Sequence, residues 1–133
     1  MSDQQFDGNW VGARKACSLP VMFLTLKELV QRDIGEIQGY ARERFEMKSH
    51  PNGFIVTKSW DAGGVQSGEA TVFELLPNGA GIRVKDSGTE RELFIATPEL
   101  DRNGVCRLRV AGERDALELW QVSRKALETF FFG

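Results

Sequence analysis

From Gln38 onward the chain carries turn chemistry at intervals of roughly ten residues, and few folds other than an antiparallel meander obey that spacing. Ser49-His50-Pro51-Asn52-Gly53 is the clearest case. Proline fixes φ, and Asn-Gly supplies the positive φ values of a tight hairpin. Asp61–Gly64, Pro77-Asn78-Gly79, Asp86–Gly88, Asp101–Gly104 and Gly112–Asp115 repeat the signal. The segments between them read as strands: Tyr40–Lys48, Phe54–Trp60, Glu69–Leu76, Ile82–Lys85, Arg91–Thr97, Val105–Ala111, Ala116–Val122 and Leu127–Phe132.

Two elements precede the meander. Phe6-Asp7-Gly8-Asn9-Trp10-Val11-Gly12-Ala13-Arg14 reads as a first strand, with Trp10 plugging one end of the fold. Ser18 to about Ile34 reads as a helix. Ser18 is placed to cap it, Pro20 suits the first turn, and Gly35 is placed to close it. Met22, Leu26, Leu29, Val30 and Ile37 form one stripe at helical spacing. The first turns are more apolar than a stripe requires, so the helix either packs on a barrel mouth or shows an outer face to a membrane or partner. Leu127–Phe132 is too apolar to leave as an exposed edge, and pairing it with the first strand removes both edges. The expectation is a mainly β fold, a closed antiparallel up-and-down barrel of about eight to ten strands capped by one helix, wide enough to hold a small ligand.

Composition narrows the function. The net charge is −2, whereas tracking phosphates needs a positive field, so nucleic acid is not an expected partner. No stretch approaches the ~20 apolar residues that span a bilayer. Met1–Gln5 is polar and lacks the basic and apolar regions of a signal peptide, so the expected compartment is the cytosol, unless a targeting segment has been removed. Cys17 and Cys106 stand outside any C-x-x-C pair and read as two separate buried thiols rather than a metal or redox site.

The layout resembles the calycin superfamily. Phe6-Asp7-Gly8-Asn9-Trp10 resembles the opening of the fatty-acid-binding proteins, which with the lipocalins carry hydrophobic ligands inside a barrel. Their closing Arg-x-Tyr has no counterpart in Lys125–Gly133. The motifs are more similar to the S-type phycobiliprotein lyases, which attach bilins to cysteines of light-harvesting proteins. Gly8-x-Trp10-x-x-x-Arg14 is similar to their opening. Trp60-Asp61 with Gly68-Glu69-Ala70-Thr71-Val72-Phe73-x-x-x-Pro77 is similar to their central segment, and Ala116-Leu117-x-Leu119 and Glu128–Phe132 to their late strands. Lys85–Gly88 stands where those lyases carry Gly-Tyr-Ala-Glu. The resemblance implies a fatty acid, bilin or other tetrapyrrole as ligand, a phycobiliprotein as acceptor, and Arg14 near the pocket.

Read from the residues themselves, a carboxylate-bearing ligand calls for inward guanidinium groups. Tyr40, Arg42 and Arg44 share a strand face, as do Arg107 and Arg109. Each arginine set either faces the ligand or forms a solvated face balanced by glutamates. Trp60 and Trp120 are candidates for stacking on a flat ligand, against the alternative of core packing. Glu128, with Glu69 and Glu74, is a candidate inward general acid, against the alternative of a surface glutamate. The single histidine, His50, lies in a turn, and no triad, P-loop or metal pattern occurs. The leading expectation is a binding protein for a hydrophobic or amphipathic small molecule. A bilin lyase, and a filled-core interaction module that dimerises through an outward Phe131, are the alternatives.

Overall fold

The computed structural model describes residues 8–133. A short helix α1 (Trp10–Ala16) leads into a long helix α2 (Leu19–Gln38). Six strands follow: β1 (Arg44–His50), β2 (Gly53–Ala62), β3 (Val65–Leu75), β4 (Ile82–Asp86), β5 (Glu92–Leu100) and β6 (Cys106–Val110). A C-terminal helix α3 (Leu119–Phe132) ends the chain.

The strands form one antiparallel sheet in the order β1-β2-β3-β4-β5-β6, each paired with its sequence neighbours. The hairpins fall at the turn signals. Pro51-Asn52 joins β1 to β2, Gly63-Gly64 joins β2 to β3, and a 3-10 turn at Pro77–Gly79 leads into β4. Gly63 and Gly64 both have positive φ (62° and 87°), a backbone that residues with a Cβ rarely adopt.

The sheet does not close, so the expected barrel is overturned. The segment that was to seal it, Leu127–Phe132, is the second half of α3 rather than a strand. Its apolar residues answer to helical spacing. Val122, Ala126 and Leu127 are buried along one side of the helix, with Ser123 beside them. The helix also has a start signal, a capping box in which the Glu118 amide donates to Gln121 Oε1 at 2.8 Å. Ala116 and Leu117 keep only a single bridge to Leu108 from the expected strand at 116–122. With no last strand, β1 and β6 remain the two ends of an open sheet.

One face of the sheet carries the core. Phe54 and Val56 of β2, Phe73 of β3, Ile82 and Val84 of β4, Phe94 and Ala96 of β5, and Leu108 and Val110 of β6 cluster with Met22, Leu26 and Val30 of α2 and Val122, Ala126 and Leu127 of α3. The helices therefore fill the space that a barrel would have enclosed. Each fully buried aliphatic or Phe side chain contributes roughly 1.5–3 kcal/mol, which makes this face the main source of stability. The opposite face is largely polar, as the period of two requires. Its one buried carboxylate, Glu74, accepts from Arg83 Nε at 2.7 Å.

Three further expectations change. Trp10 does not plug a barrel; it begins α1 and is 66% exposed. Phe6 and Asp7, the start of the expected first strand, lie outside the described residues. Ser18 caps α2 as expected, its Oγ accepting from the Val21 amide, but the helix runs through Gly35 to Gln38. Buried Ile37 explains the extension, because stopping at Gly35 would leave it out of the core. Cys17 and Cys106 are not separate thiols. They form a disulfide, with Cα atoms 5.4 Å apart, that ties the α1–α2 junction to the start of β6.

Candidate functional site

A groove of about 360 Å³ lies between the second half of α2 and α3. Helical spacing builds both walls. Arg32, Asp33, Glu36 and Ile37, followed by Tyr40, come from the α2 side, and Trp120, Ser123, Arg124, Leu127, Glu128, Phe131 and Phe132 from α3. On each helix these positions recur every three or four residues and so share one side. The Ser123 hydroxyl donates to Asp33 Oδ2 at 2.8 Å and joins the helices at one end. Tyr40 stacks on Phe132 at the other, with ring centroids 6.5 Å apart. The helices thus run side by side in the same direction.

The floor is apolar and the rim aromatic. Ile37 and Leu127 are buried, and Phe131 is half-buried, its ring 5.2 Å from that of Phe45. Phe131 is therefore not the outward residue expected at a dimer contact. Tyr40, Trp120 and Phe132 are 72%, 50% and 66% exposed. Large aromatics left in water around an apolar floor mark a binding surface more readily than a scattered surface Leu would.

Four of the five charges on the rim, all but Glu36, lie in pairs that open at little cost. Arg32 lies 3.3 Å from Asp33, and Arg124 Nε lies 3.2 Å from Glu128 Oε1. Exposed pairs of this kind contribute about 0–1 kcal/mol, so either guanidinium can turn from its neighbour to a ligand carboxylate. No histidine lines the groove, and the Ser123 hydroxyl is committed to Asp33. No cluster of His, Cys, Asp or Glu among the described residues could hold a metal ion.

Four of the residues singled out in the sequence, Tyr40, Trp120, Glu128 and Phe131, come together here. The others lie elsewhere. Arg14 is exposed on α1, and Arg42 is exposed in the connection between α2 and β1. Trp60 sits near the end of β2, with Lys58 Nζ 5.8 Å from its ring centre. Arg107 Nη1 donates to Asp101 Oδ2 at 3.1 Å, and Arg109 grips Glu99 through two nitrogens at 2.9 and 3.0 Å. That second pair holds the Glu99 carboxyl below the usual carboxylate range and raises the Arg109 guanidinium. Of the other glutamates considered as acids, Glu69 is exposed and Glu74 is paired with Arg83. The sequence reading missed Ile37 and Leu127 as a binding floor and Arg32 and Arg124 as its charges. The spacing of 120, 123, 124, 127 and 131 was the available signal, and reading 116–122 and 127–132 as two separate strands concealed it.

Comparison with protein-family models, with curated proteins and with solved structures finds no match to this chain. No helix among the described residues is long and apolar enough to cross a membrane.

Proposed function

We propose that the protein binds a hydrophobic or amphipathic small molecule, of the fatty-acid or bilin class, in the groove between α2 and α3. The observation that carries this reading is the groove itself, about 360 Å³ over Ile37 and Leu127 with Tyr40, Trp120 and Phe132 standing exposed around it. Ligand sites commonly occupy ~300–1,000 Å³, with apolar walls and a few polar groups that orient the ligand. Here the apolar part lies on the floor, a flat or unsaturated part stacks on Trp120, and a carboxylate takes Arg124 or Arg32 from its neighbour. We infer an oxidising compartment rather than the cytosol, because a disulfide such as Cys17–Cys106 persists there.

Native mass spectrometry against fatty acids, retinoids, haem and bilins tests the reading, with Trp120 fluorescence as a second readout. The expected result is a one-to-one adduct that Trp120→Ala and Phe132→Ala each weaken at least tenfold, the two residues being too exposed to support the fold. No adduct across the panel, or one indifferent to both substitutions, refutes it. If a bound bilin passes to an acceptor cysteine and Glu128→Gln abolishes the transfer, the protein is a lyase working from the same groove. A concentration-dependent complex that masks Trp120 without ligand assigns the aromatic rim to a protein partner.

A further inference from the structure

The two sulfurs of the Cys17–Cys106 disulfide stand in different surroundings. Cys17, at the junction of α1 and α2, is 2% exposed. Cys106 opens β6 and is only partly buried. Leu108 and Val110, two and four residues further along β6, are buried in the core, so the Cys106 side chain lies with them on the helical side of the sheet. A cavity of about 560 Å³ opens on that side, with Cys106 in its wall. Thr25 and Leu29 of α2 and Leu119 and Trp120 of α3 line it too.

Thiol–disulfide exchange begins with attack of a thiolate on one of the two sulfurs, and access helps decide which. Burial closes Cys17 to an attacking thiol. The cavity leads to Cys106, and its volume falls in the range of small-molecule sites, ~300–1,000 Å³. The leaving group is suited as well. Cys17 stands directly before Ser18, the N-cap of the 20-residue α2, and the positive end of a helix favours a thiolate.

We propose that Cys106 is a site of reversible S-thiolation by a low-molecular-weight thiol, up to tripeptide size, that enters through this cavity. The thiolate sulfur of the small molecule bonds to Cys106 Sγ. The Cys17–Cys106 bond breaks, and its electron pair leaves with Cys17 as a thiolate. One disulfide and one thiolate thus become a mixed disulfide and a different thiolate, and no other oxidant or reductant is needed. Attack by Cys17 on the mixed disulfide expels the small thiol and restores the native bond. Attack by a second small thiol instead leaves Cys106 reduced and releases the small-molecule disulfide. Either route unties the α1–α2 junction from β6 without opening the core between the helices and the sheet, so the bond serves as a redox switch as well as a brace. The inference stands independently of the ligand reading.

Incubation of the intact oxidised protein with reduced glutathione, without denaturant, tests it. Samples stopped with acid and mapped by mass spectrometry are expected to carry one glutathione per chain, on Cys106, with Cys17 free. The rate is expected to be first order in glutathione and flat in urea below the unfolding transition, because the sulfur is reached in the folded chain. Thr25 is exposed in the cavity wall, and Thr25→Trp is expected to slow the reaction at least tenfold with an unchanged melting temperature. Glutathione on Cys17, a rate that climbs with urea as global unfolding does, or a Thr25→Trp rate equal to that of the wild type overturns the proposal. Where full reduction outruns the mixed disulfide, Cys17→Ala isolates the step. Oxidised glutathione is expected to modify its remaining Cys106 thiol in the folded protein, and an unreactive Cys106 overturns the proposal equally.

Discussion

Breaking the Cys17–Cys106 bond tests how the helical layer is held to the sheet. The bond spans 89 residues of sequence, so its loop contains α2 and the strands from β1 to β5. Chain-entropy arguments assign a loop of that length about 4.5 kcal/mol of stabilisation, through restriction of the unfolded chain. At ~2.1 cal/mol/K of unfolding entropy per residue, a chain of this size loses about 3–4 °C in Tm per kcal/mol, which sets the expected drop near 15 °C. The double substitution Cys17→Ala/Cys106→Ala suits the test better than serine, because Cys17 is buried and a serine hydroxyl there would need a partner. The local consequence is sharper than the global one. α1 contributes no buried residue, so Cys17 at its C-terminal cap is its firmest tie to the fold. Hydrogen exchange in the reduced protein is expected to lose protection in Ala13–Ala16 first, while β2 and β3 keep theirs. The assay is calorimetric melting of oxidised, reduced and double-substituted protein, with exchange measured on the first two. Melting temperatures within ~2 °C of one another, or a thiol titration that finds both cysteines free in the native protein, would refute the reasoning.

Two further perturbations address the C-terminal helix and the β5–β6 turn. Lys58 is 7% exposed, and its Nζ donates to the Phe130 carbonyl at 2.9 Å, satisfying a group in the last turn of α3, with the rings of Phe45, Trp60 and Phe130 within 5.9 Å. Lys58→Met keeps the stem but removes the donor and the cation, and urea unfolding is expected to show a loss of about 1–3 kcal/mol. The Asp101 carboxyl is held below its usual range, first by the Val105 amide and then by the Asn103 amide and Arg107. A depressed folded-state pKa gives stability that is present above the unfolded carboxylate value and is lost as pH falls through the folded one. The Asp101–Val105 turn is therefore expected to stay closed at pH 4 and to open only below that. A carboxyl titration by NMR that places Asp101 at or above an ordinary aspartate contradicts this.

Turn chemistry is local, which is why the hairpins could be read from the sequence. Pro51-Asn52, Gly63-Gly64 and Asp86–Gly88 need only their own backbone preferences to end one strand and start another. Leu127–Phe132 is different. A short run of leucine and aromatics fits a buried strand and a buried helix equally, and periodicity within six residues cannot separate them. The separating features lie upstream, in the Glu118–Gln121 capping box and buried Val122, which fall in the segment also read as a strand, and in buried Ala126 between the two segments. The disulfide had no local signature either, since the contact between Cys17 and Cys106 exists only once α2 has packed on the sheet. One misreading therefore had two consequences. Taking α3 for strands closed the barrel and placed the ligand inside it, in the space that Leu26, Val30, Val122 and Leu127 occupy. It also dispersed Trp120, Glu128 and Phe131 over alternating strand faces, when a helical period sets all three on one side, facing Ile37 and Tyr40. Tyr40, Trp120 and Glu128 were thus singled out for an interior that does not exist, and they meet outside the core because α3 is a helix.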